Sequence, residues 1–422
     1  MNWRRNLVIL SMAVFLAAIA FSLYAPFLPM FLQELGLKDN LSGWSGMMQS
    51  VNSLTYALMA PIWGMLADRH GKRVMFMRSG FGIALTYVLM AVSQNHYQVF
   101  AWRALNGLLS GFIPSAILLV ATNTPEMHLG FALGMIQTAN SIGTIMGPMI
   151  GGISANLLGV RSTLFASAAV LALAAVCAFY GTREEIRPQK RKSALLADMR
   201  QVIMSNGALR IIMISQLLIN TALMIIQPTL PLFVGEIVTT NVAMYTGVIF
   251  SIIGVSTALG APLFGKIKNL NYRGLYVLGI GSGAILSVVQ GLTRSVWLLS
   301  GERFVFGFAN AAMLVGGNVL LTQYSEPEDR GRIFGVYNGI SALGSVAGPL
   351  LGGFLGDSLG LASPFYGSAI LLLVAGWFVW TGLNARQALL ETQAARWWNR
   401  LYDRMQDRTR SRSHGERHFH DH

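Results

Sequence analysis

The chain is short of charge and almost without cysteine. Charged residues make up 12% of its 422 positions, about half the ~25% usual for a soluble domain. A fold so poor in charge cannot coat itself with solvated side chains, and its class is membrane before any motif is read. Cys177 is the sole cysteine, which excludes an intramolecular disulfide, and its apolar surroundings mark it as a small packing residue. No Walker loop is present, so ATP does not drive the molecule directly. No cysteine and histidine cluster has metal-site spacing. His418, His420 and His422 fall in a hydrophilic tail and read as solvated. No metal, no cofactor and no enzyme chemistry are expected. The first apolar run is too long for the core of a cleavable leader and lacks a convincing cleavage site, so it reads as a span.

What is present is apolar length. The uncharged runs are 7–33, 40–67, 79–102, 104–125, 129–160, 162–182, 211–235, 237–265, 274–293, 304–325, 333–356 and 358–385. Each is enough to cross a ~30 Å hydrocarbon core at ~1.5 Å per residue. The fourth and tenth must begin earlier, near Tyr97 and Trp297, and so take in Arg103 and the Glu302-Arg303 pair. The reading is twelve spans, all α-helical. Residues 1–182 form one six-helix bundle, 183–208 a charged connector, 209–385 a second bundle and 386–422 a basic tail.

The net charge of +13 is a matter of topology and does not indicate nucleic acid as a partner. With the N-terminus in the cytoplasm, 26 of the 31 Lys and Arg fall on cytoplasmic segments. External loops hold Lys38, Arg161 and Arg294, and Arg103 and Arg303 are embedded. This asymmetry predicts both termini inside. In the tail, Arg396, Arg400, Arg404, Arg408 and Arg412 recur every fourth residue beside Trp397 and Trp398. That pattern suits either a helix on anionic headgroups or a partly disordered basic tail.

The two sets of six spans repeat each other. Gly143-x-x-x-Gly147-Pro148-x-x-Gly151-Gly152 returns as Gly344-x-x-x-Gly348-Pro349-x-x-Gly352-Gly353, 201 positions later. Pro26-x-x-Pro29 returns as Pro228-x-x-Pro231, Glu34 as Glu236, and Arg103-x-x-x-Gly107 as Arg303-x-x-x-Gly307. Internal repeats of this kind are a mark of secondary transporters. Polarity varies with a period of three spans. Spans 3, 6, 9 and 12 are nearly featureless and are expected to face lipid. Amides crowd spans 2, 4, 5, 7, 10 and 11, which should line the interior.

After span 2 the chain reads Gly64-Met65-Leu66-Ala67-Asp68-Arg69-His70-Gly71-Lys72-Arg73. This resembles the signature loop of the major facilitator superfamily, G-x-x-x-D-R-x-G-R/K-R/K. The resemblance runs through all twelve spans and implies that Asp68 and its basic neighbours latch the halves together on the cytoplasmic side when the other side is open. Asn269 stands where the second half would repeat Asp68. The doubled glycine-proline pattern resembles the superfamily's antiporter motif, which is associated with drug:proton antiporters. Its glycines at i, i+4 and i+8 share one helix face, and they are expected to form a tight, bendable contact between the halves. The opening Asn2-Trp3-Arg4-Arg5-Asn6-Leu7 and the stretch Ala60-Pro61-Ile62-Trp63-Gly64 give a narrower likeness to the MdtG-like multidrug efflux subgroup.

The resemblance implies a major facilitator fold in a bacterial cytoplasmic membrane. The molecule would act as a monomer, exchanging protons for drug-like molecules. Arg103 matches the superfamily's span-4 arginine. A charge at that depth is costly, so it is either functional or snorkels to the outer interface. No acid lies in residues 7–33, which leaves Glu302, Glu34, Glu236 and Asp68 as candidate proton carriers, Glu302 foremost, beside Arg103 and Arg303. Substrate contact is expected from Tyr24, Gln49, Asn52, Tyr56, Gln137, Asn140, Gln216, Asn220, Asn310 and Tyr337. Two other readings stay open: a sugar or metabolite transporter of the same fold, and a non-transporting membrane sensor.

Overall fold

The computed structural model describes residues 3–182, 206–267, 270–327 and 329–383. The bulk of the expected connector, Asn269 and the basic tail lie outside them. Every regular element among the described residues is helical: α1 (Trp3–Tyr24), α2 (Leu28–Glu34), α3 (Leu41–His70), α4 (Lys72–Ala91), α5 (His96–Leu109), α6 (Phe112–Asn123), α7 (Glu126–Leu158), α8 (Val160–Gly181), α9 (Gly207–Met224), α10 (Leu230–Ile237), α11 (Val242–Lys266), α12 (Tyr272–Leu292), α13 (Val296–Gln323) and α14 (Arg330–Leu359), then α15 (Ser363–Leu383). Eleven segments are long and apolar enough to cross a membrane. The twelfth expected span is α3, 30 residues long and more polar, packed along α5 and α14.

Proline explains where spans break. Pro26 and Pro29 supply no backbone donor, and their rings crowd the carbonyl four residues back. The first span accordingly divides into α1, a short 3₁₀ turn at Ala25–Phe27, and α2. Pro228 and Pro231 divide α9 from α10 in the same way. Span 4 breaks for a reason its counterpart lacks. Pro114 leaves the Ser110 carbonyl without its helical donor, and Gly111 takes a φ of 148° that a side chain would resist. The equivalent α13 has Ala311 and Leu314 there and runs unbroken.

Helices before residue 182 pack on one another, α1 against α7 and α8, α4 against α5, α6 and α8. Those after 206 do likewise, α9 against α14 and α13 against α11 and α12. Their buried cores are correspondingly separate, except that Ala243 joins the first. The two groups meet along α3 with α14 and α7 with α11.

The glycine ladders are not the contact between halves that their pattern suggests. A Cβ on Gly143 would stand 2.5 Å from the Phe15 carbonyl oxygen, one on Gly147 2.5 Å from Ser22 Cβ, and one on Gly151 would overlap the Leu23 carbonyl. All three neighbours belong to α1. Gly344, Gly348 and Gly352 press in the same way on Asn220, Met224 and Ile225 at the end of α9. Each ladder therefore joins span 5 to span 1, or 11 to 7, inside its own half. Only the last glycines, Gly152 and Gly353, face the other half, because one further residue turns about 100° around the helix.

α4, α8, α12 and α15 expose Phe81, Leu173, Leu278 and Trp377 among other large apolar side chains, the outward surface expected of lipid-facing helices. They are not featureless. Gln290 of α12 is fully buried with both amide atoms unpartnered. Arg78 of α4 has all three guanidinium nitrogens buried and stacks on Trp63, 3.4 Å from the ring centroid.

Gly352→Ala places a methyl on the Ile225 carbonyl and should cost about 1–3 kcal/mol of stability, read as a lower melting temperature of the purified protein. Gly130→Ala, with nothing within 4 Å, should leave that temperature unchanged or slightly higher.

Candidate functional site: a cavity between two unequal ends

At the end carrying residues 34–43, 156–160, 236–243 and 356–363, the halves touch backbone to backbone. The glycine contacts come in pairs 201 residues apart. A Cβ on Gly46 would overlap the Pro349 carbonyl, and one on Gly247 would overlap the Pro148 carbonyl. Gly353 lies against Ser42 and Gly152 against Ala243, each with only 2.5 Å between a notional Cβ and the carbonyl oxygen. Ser50 Oγ donates to the Val346 carbonyl at 2.7 Å, while Ser251 Oγ accepts from the Met149 amide at 3.1 Å. The proline carbonyls thus seat in glycine notches of the opposite half.

A charged contact also differs between the halves. Asp357 of α14 accepts from the Ser42 and Gly43 amides at 3.1 and 2.7 Å, in the first turn of α3. A carboxylate there satisfies amides that have no helical partner and complements the positive end of the helix dipole. Its counterpart, Asn156, makes a neutral bond to Asn241 at 3.0 Å at the start of α11. Sequence reasoning passed over Asp357, which served only to separate two apolar runs. Its spacing of 201 from Asn156 was the available signal.

The opposite end is apart. Among the described residues, Gly64, Gly130 and Gly134, and their counterparts Gly265, Gly331 and Gly335, have nothing within 4 Å of a notional Cβ. Asp68 and Arg69 are exposed. Gly71, at φ 92°, makes the tight turn into α4. Lys72 is buried. Arg73 Nε donates to the Phe179 carbonyl at 2.7 Å and its guanidinium stacks on that ring, so it braces α8 within the first half. Among the described residues, the halves meet at one end and stand apart at the other.

Between the ends lies a cavity of about 320 Å³, lined from both halves by Phe21, Gln49, Thr144, Pro148, Gln227, Phe250, Arg303, Phe306 and Asn310, among others. Gln49 and Gln227 are hydrogen-bonded to each other across it. A second cavity of about 380 Å³ adjoins it in the first half and shares Phe21, Ala25 and Gln49. Tyr24, Asn52, Tyr56, Tyr87, Arg103 and Asn106 line this one.

Each arginine is placed by the glycine four residues on. Gly107 lies against Asn52 and Thr55, and Gly307 against Ile253 and Ser256, so the helices bearing Arg103 and Arg303 sit close on α3 and α11. Asn52 Nδ2 donates to the Arg103 carbonyl at 3.1 Å and to Asn106 Oδ1 at 2.9 Å. Asn106 Nδ2 donates to Thr86 at 2.7 Å. Arg103 is only 4% exposed and donates to the Tyr24 hydroxyl, which disposes of the snorkelling alternative. Arg303 is equally buried, with Nε and one terminal nitrogen unpartnered and Phe365 5.4 Å below. Glu302 does not turn toward it. Both its carboxylate oxygens lie within reach of Thr293 Oγ1, at 2.7 and 2.9 Å, since adjacent helical residues point apart.

The family model of the Major Facilitator Superfamily matches residues 10–289 and 212–404. The chain belongs to the major facilitator superfamily. It is 34% identical over 398 residues to the multidrug resistance protein MdtG of Salmonella arizonae, covering 92% of this chain and 98% of that protein. Among solved structures it is similar to a bacterial homologue of the human lysosomal transporter Spinster in an inward-facing, unoccupied conformation (TM-score 0.77, 15% identity, 90% of this chain and 96% of that one). It is also similar to the nucleoside transporter NupG (TM-score 0.77, 15% identity, 90% and 98%). At such identities the likeness is one of fold.

Within this superfamily fold, the sequence-based cavity set divides. Tyr24, Gln49, Asn52, Tyr56 and Asn310 line the two cavities, with both arginines. The rest go elsewhere. Gln216 bonds Tyr337 at 2.6 Å and Ser341 at 2.7 Å, and Asn220 accepts from Ser345 at 3.2 Å. These bonds tie α9 to α14 inside the second half, with Tyr337 buried in its core. Gln137 and Asn140 line neither cavity, although Thr144 and Pro148 of the same helix line the first. Glu34 and Glu236 are exposed at the closed end, where Glu236 borders a pocket with Lys38 and Asp357. Gln227, Phe21 and Phe306 were missed. Gln227 sits beside Pro228 in the break of span 7, and that adjacency was its one sequence signal.

Asp357→Ala removes the acceptor of two amides across the closed end, worth about 1.5–3 kcal/mol for bonds to a charged group. Spin labels at Lys38 and Leu361 in a Cys177→Ser background should then show a larger long-distance population than the same labels with Asp357 intact.

Proposed function

We propose that this superfamily member exports drug-like small molecules in exchange for protons by alternating access. The observation that carries the reading is the cavity itself. It is built from both halves, shut at one end by contacts that recur about a pseudo-twofold and open at the other. Its relatives' name, multidrug resistance protein, supports the substrate class. The basic loops support placing the open end and both termini in the cytoplasm of a bacterial cell. Both halves lie in one chain, so a monomer holds the whole pathway.

In this reading the open end takes substrate from the cytoplasm and from the inner leaflet. The halves then rock until Gly64, Gly130 and Gly134 of one close on Gly265, Gly331 and Gly335 of the other. Asp68, solvent-facing in the present state, would then meet the second half and latch that end. Meanwhile the Asp357 contact and the proline-in-glycine notches part, and the substrate leaves outside. Such rocking needs no new packing inside either half, because the glycine ladders hold spans 1 and 5, and 7 and 11, as rigid pairs.

We assign proton carriage to Glu302 and gating to Asp357. Glu302 is the buried carboxylate among the candidates, held by Thr293 inside the second half. Among the described residues, Asp357 is the carboxylate that bridges the halves. Glu34 and Glu236 stay solvated at the closed end.

Cells expressing the chain should expel members of a panel of dyes and antibiotics, and a protonophore should abolish this. Unchanged accumulation across the panel would refute export. Asp68→Asn should lose transport while inserting normally. Glu302→Gln should remove the dependence on an imposed pH difference in liposomes, and a retained dependence would mean that another group carries the proton.

A further inference from the structure

We infer that the cavity selects molecules bearing a negative charge on an apolar body. The inference rests on the transport reading of the same cavity and adds the charge of its cargo. Arg303 lines that cavity at 4% exposure, with Nε and one terminal nitrogen lacking any partner. A guanidinium removed from water and left unpaired is costly, so the site is built to be completed by something else. The adjacent Glu302 does not complete it, because its carboxylate is held by Thr293.

A second arginine stands in the adjoining cavity. Arg103 gives one donor to the neutral Tyr24 hydroxyl, and its Nε has no partner. Neither cavity has an aspartate or glutamate among its lining residues. A cation entering this space would meet two guanidinium charges and no carboxylate in either wall, the neighbouring Glu302 being turned to Thr293 behind Arg303, in surroundings that screen poorly. A carboxylate or sulfonate would meet a planar fork of donors suited to two-point binding. Phe21, Met224, Phe250 and Phe306 supply the apolar wall for the remainder of the molecule. About 320 Å³ falls at the lower edge of drug-sized sites. A soluble aromatic carboxylate and an anionic lipid headgroup share the required chemistry.

The test uses the purified full chain in an uncharged detergent, with a charge-reversed pair of probes: radiolabelled 2-naphthoate and 2-naphthylmethylammonium. Scintillation proximity should show the carboxylate binding about tenfold or more tighter than the ammonium, in keeping with a charge-assisted bond. Arg303→Gln should weaken naphthoate by a similar factor, and Arg303→Lys, which keeps the charge, should recover part of it. If Arg303→Gln elutes as aggregate, Arg103→Gln supplies the same comparison in the second cavity. Equal binding of the two probes, or naphthoate binding indifferent to Arg303→Gln in folded protein, overturns the inference and leaves the guanidinium to water. Added phosphatidylglycerol separates the sources: displacement of naphthoate assigns the anionic site to lipid, and its failure assigns it to soluble cargo. Binding of naphthoate that survives while liposomes move nothing would sink the export reading and leave the charge selection standing.

Discussion

Close contact between helix backbones, made where glycine omits a side chain, is the constraint on which the rest of this structure depends. In lipid there is no hydrophobic drive between helices, and association rests on packing and on the few polar bonds a bundle can make. Here the notches fall into two sets. The ladders of spans 5 and 11 bind spans 1 and 7 tightly within each half. A separate set, Gly46, Gly152, Gly247 and Gly353, receives carbonyls of the opposite half at one end only. The first set makes each half a body, and the second makes the join between bodies breakable.

The two ends differ because the second set is local. Gly46 and Gly353 meet at the start of α3 and the end of α14, while Gly64 of the same α3 and Gly331 of the same α14 face open space. Long helices that cross at one end must diverge at the other, and the divergence leaves the cavity. Its charge follows from the same geometry. Gly107 and Gly307 let span 4 sit on span 2, and span 10 on span 8, which sets Arg103 and Arg303 beside the cavities without bringing a carboxylate to either. Asp357 and Asn156 add an inequality to the pseudo-twofold, since only one of the two carries a charge that a proton can remove.

Spans 4 and 10 show how far the halves have drifted apart while keeping this plan. Pro114 and Gly111 break the first, and Ala311 and Leu314 leave the second whole. Just ahead of the break, the Leu108 carbonyl takes the Trp63 indole N–H at 2.6 Å. Trp63 in turn carries the Arg78 guanidinium on its ring. The second half does not repeat this assembly. Phe264 stands in place of Trp63 and has no N–H to give, and α12 holds no arginine after Arg273.

Class, span number, the repeat and the family were legible in the sequence, because low charge, run length, basic-loop asymmetry and the motif at Gly64–Arg73 are properties of residues in order. So was the presence of an embedded arginine in each half, since a charge inside an apolar run stands out by composition alone. Which glycines join halves and which join neighbours was not legible: Gly151 and Gly152 are adjacent in the chain, and only the rotation between them in a folded helix sends one to α1 and the other to α11. Nor was the fate of Gln216 and Tyr337, whose amide and hydroxyl satisfy each other inside the second half, a pairing across 121 residues that no local pattern encodes. The role of Asp357 was hidden for the same reason. Its partners are backbone amides some 315 residues away, and backbone donors carry no signature in a sequence until the fold decides which of them lack a helical partner.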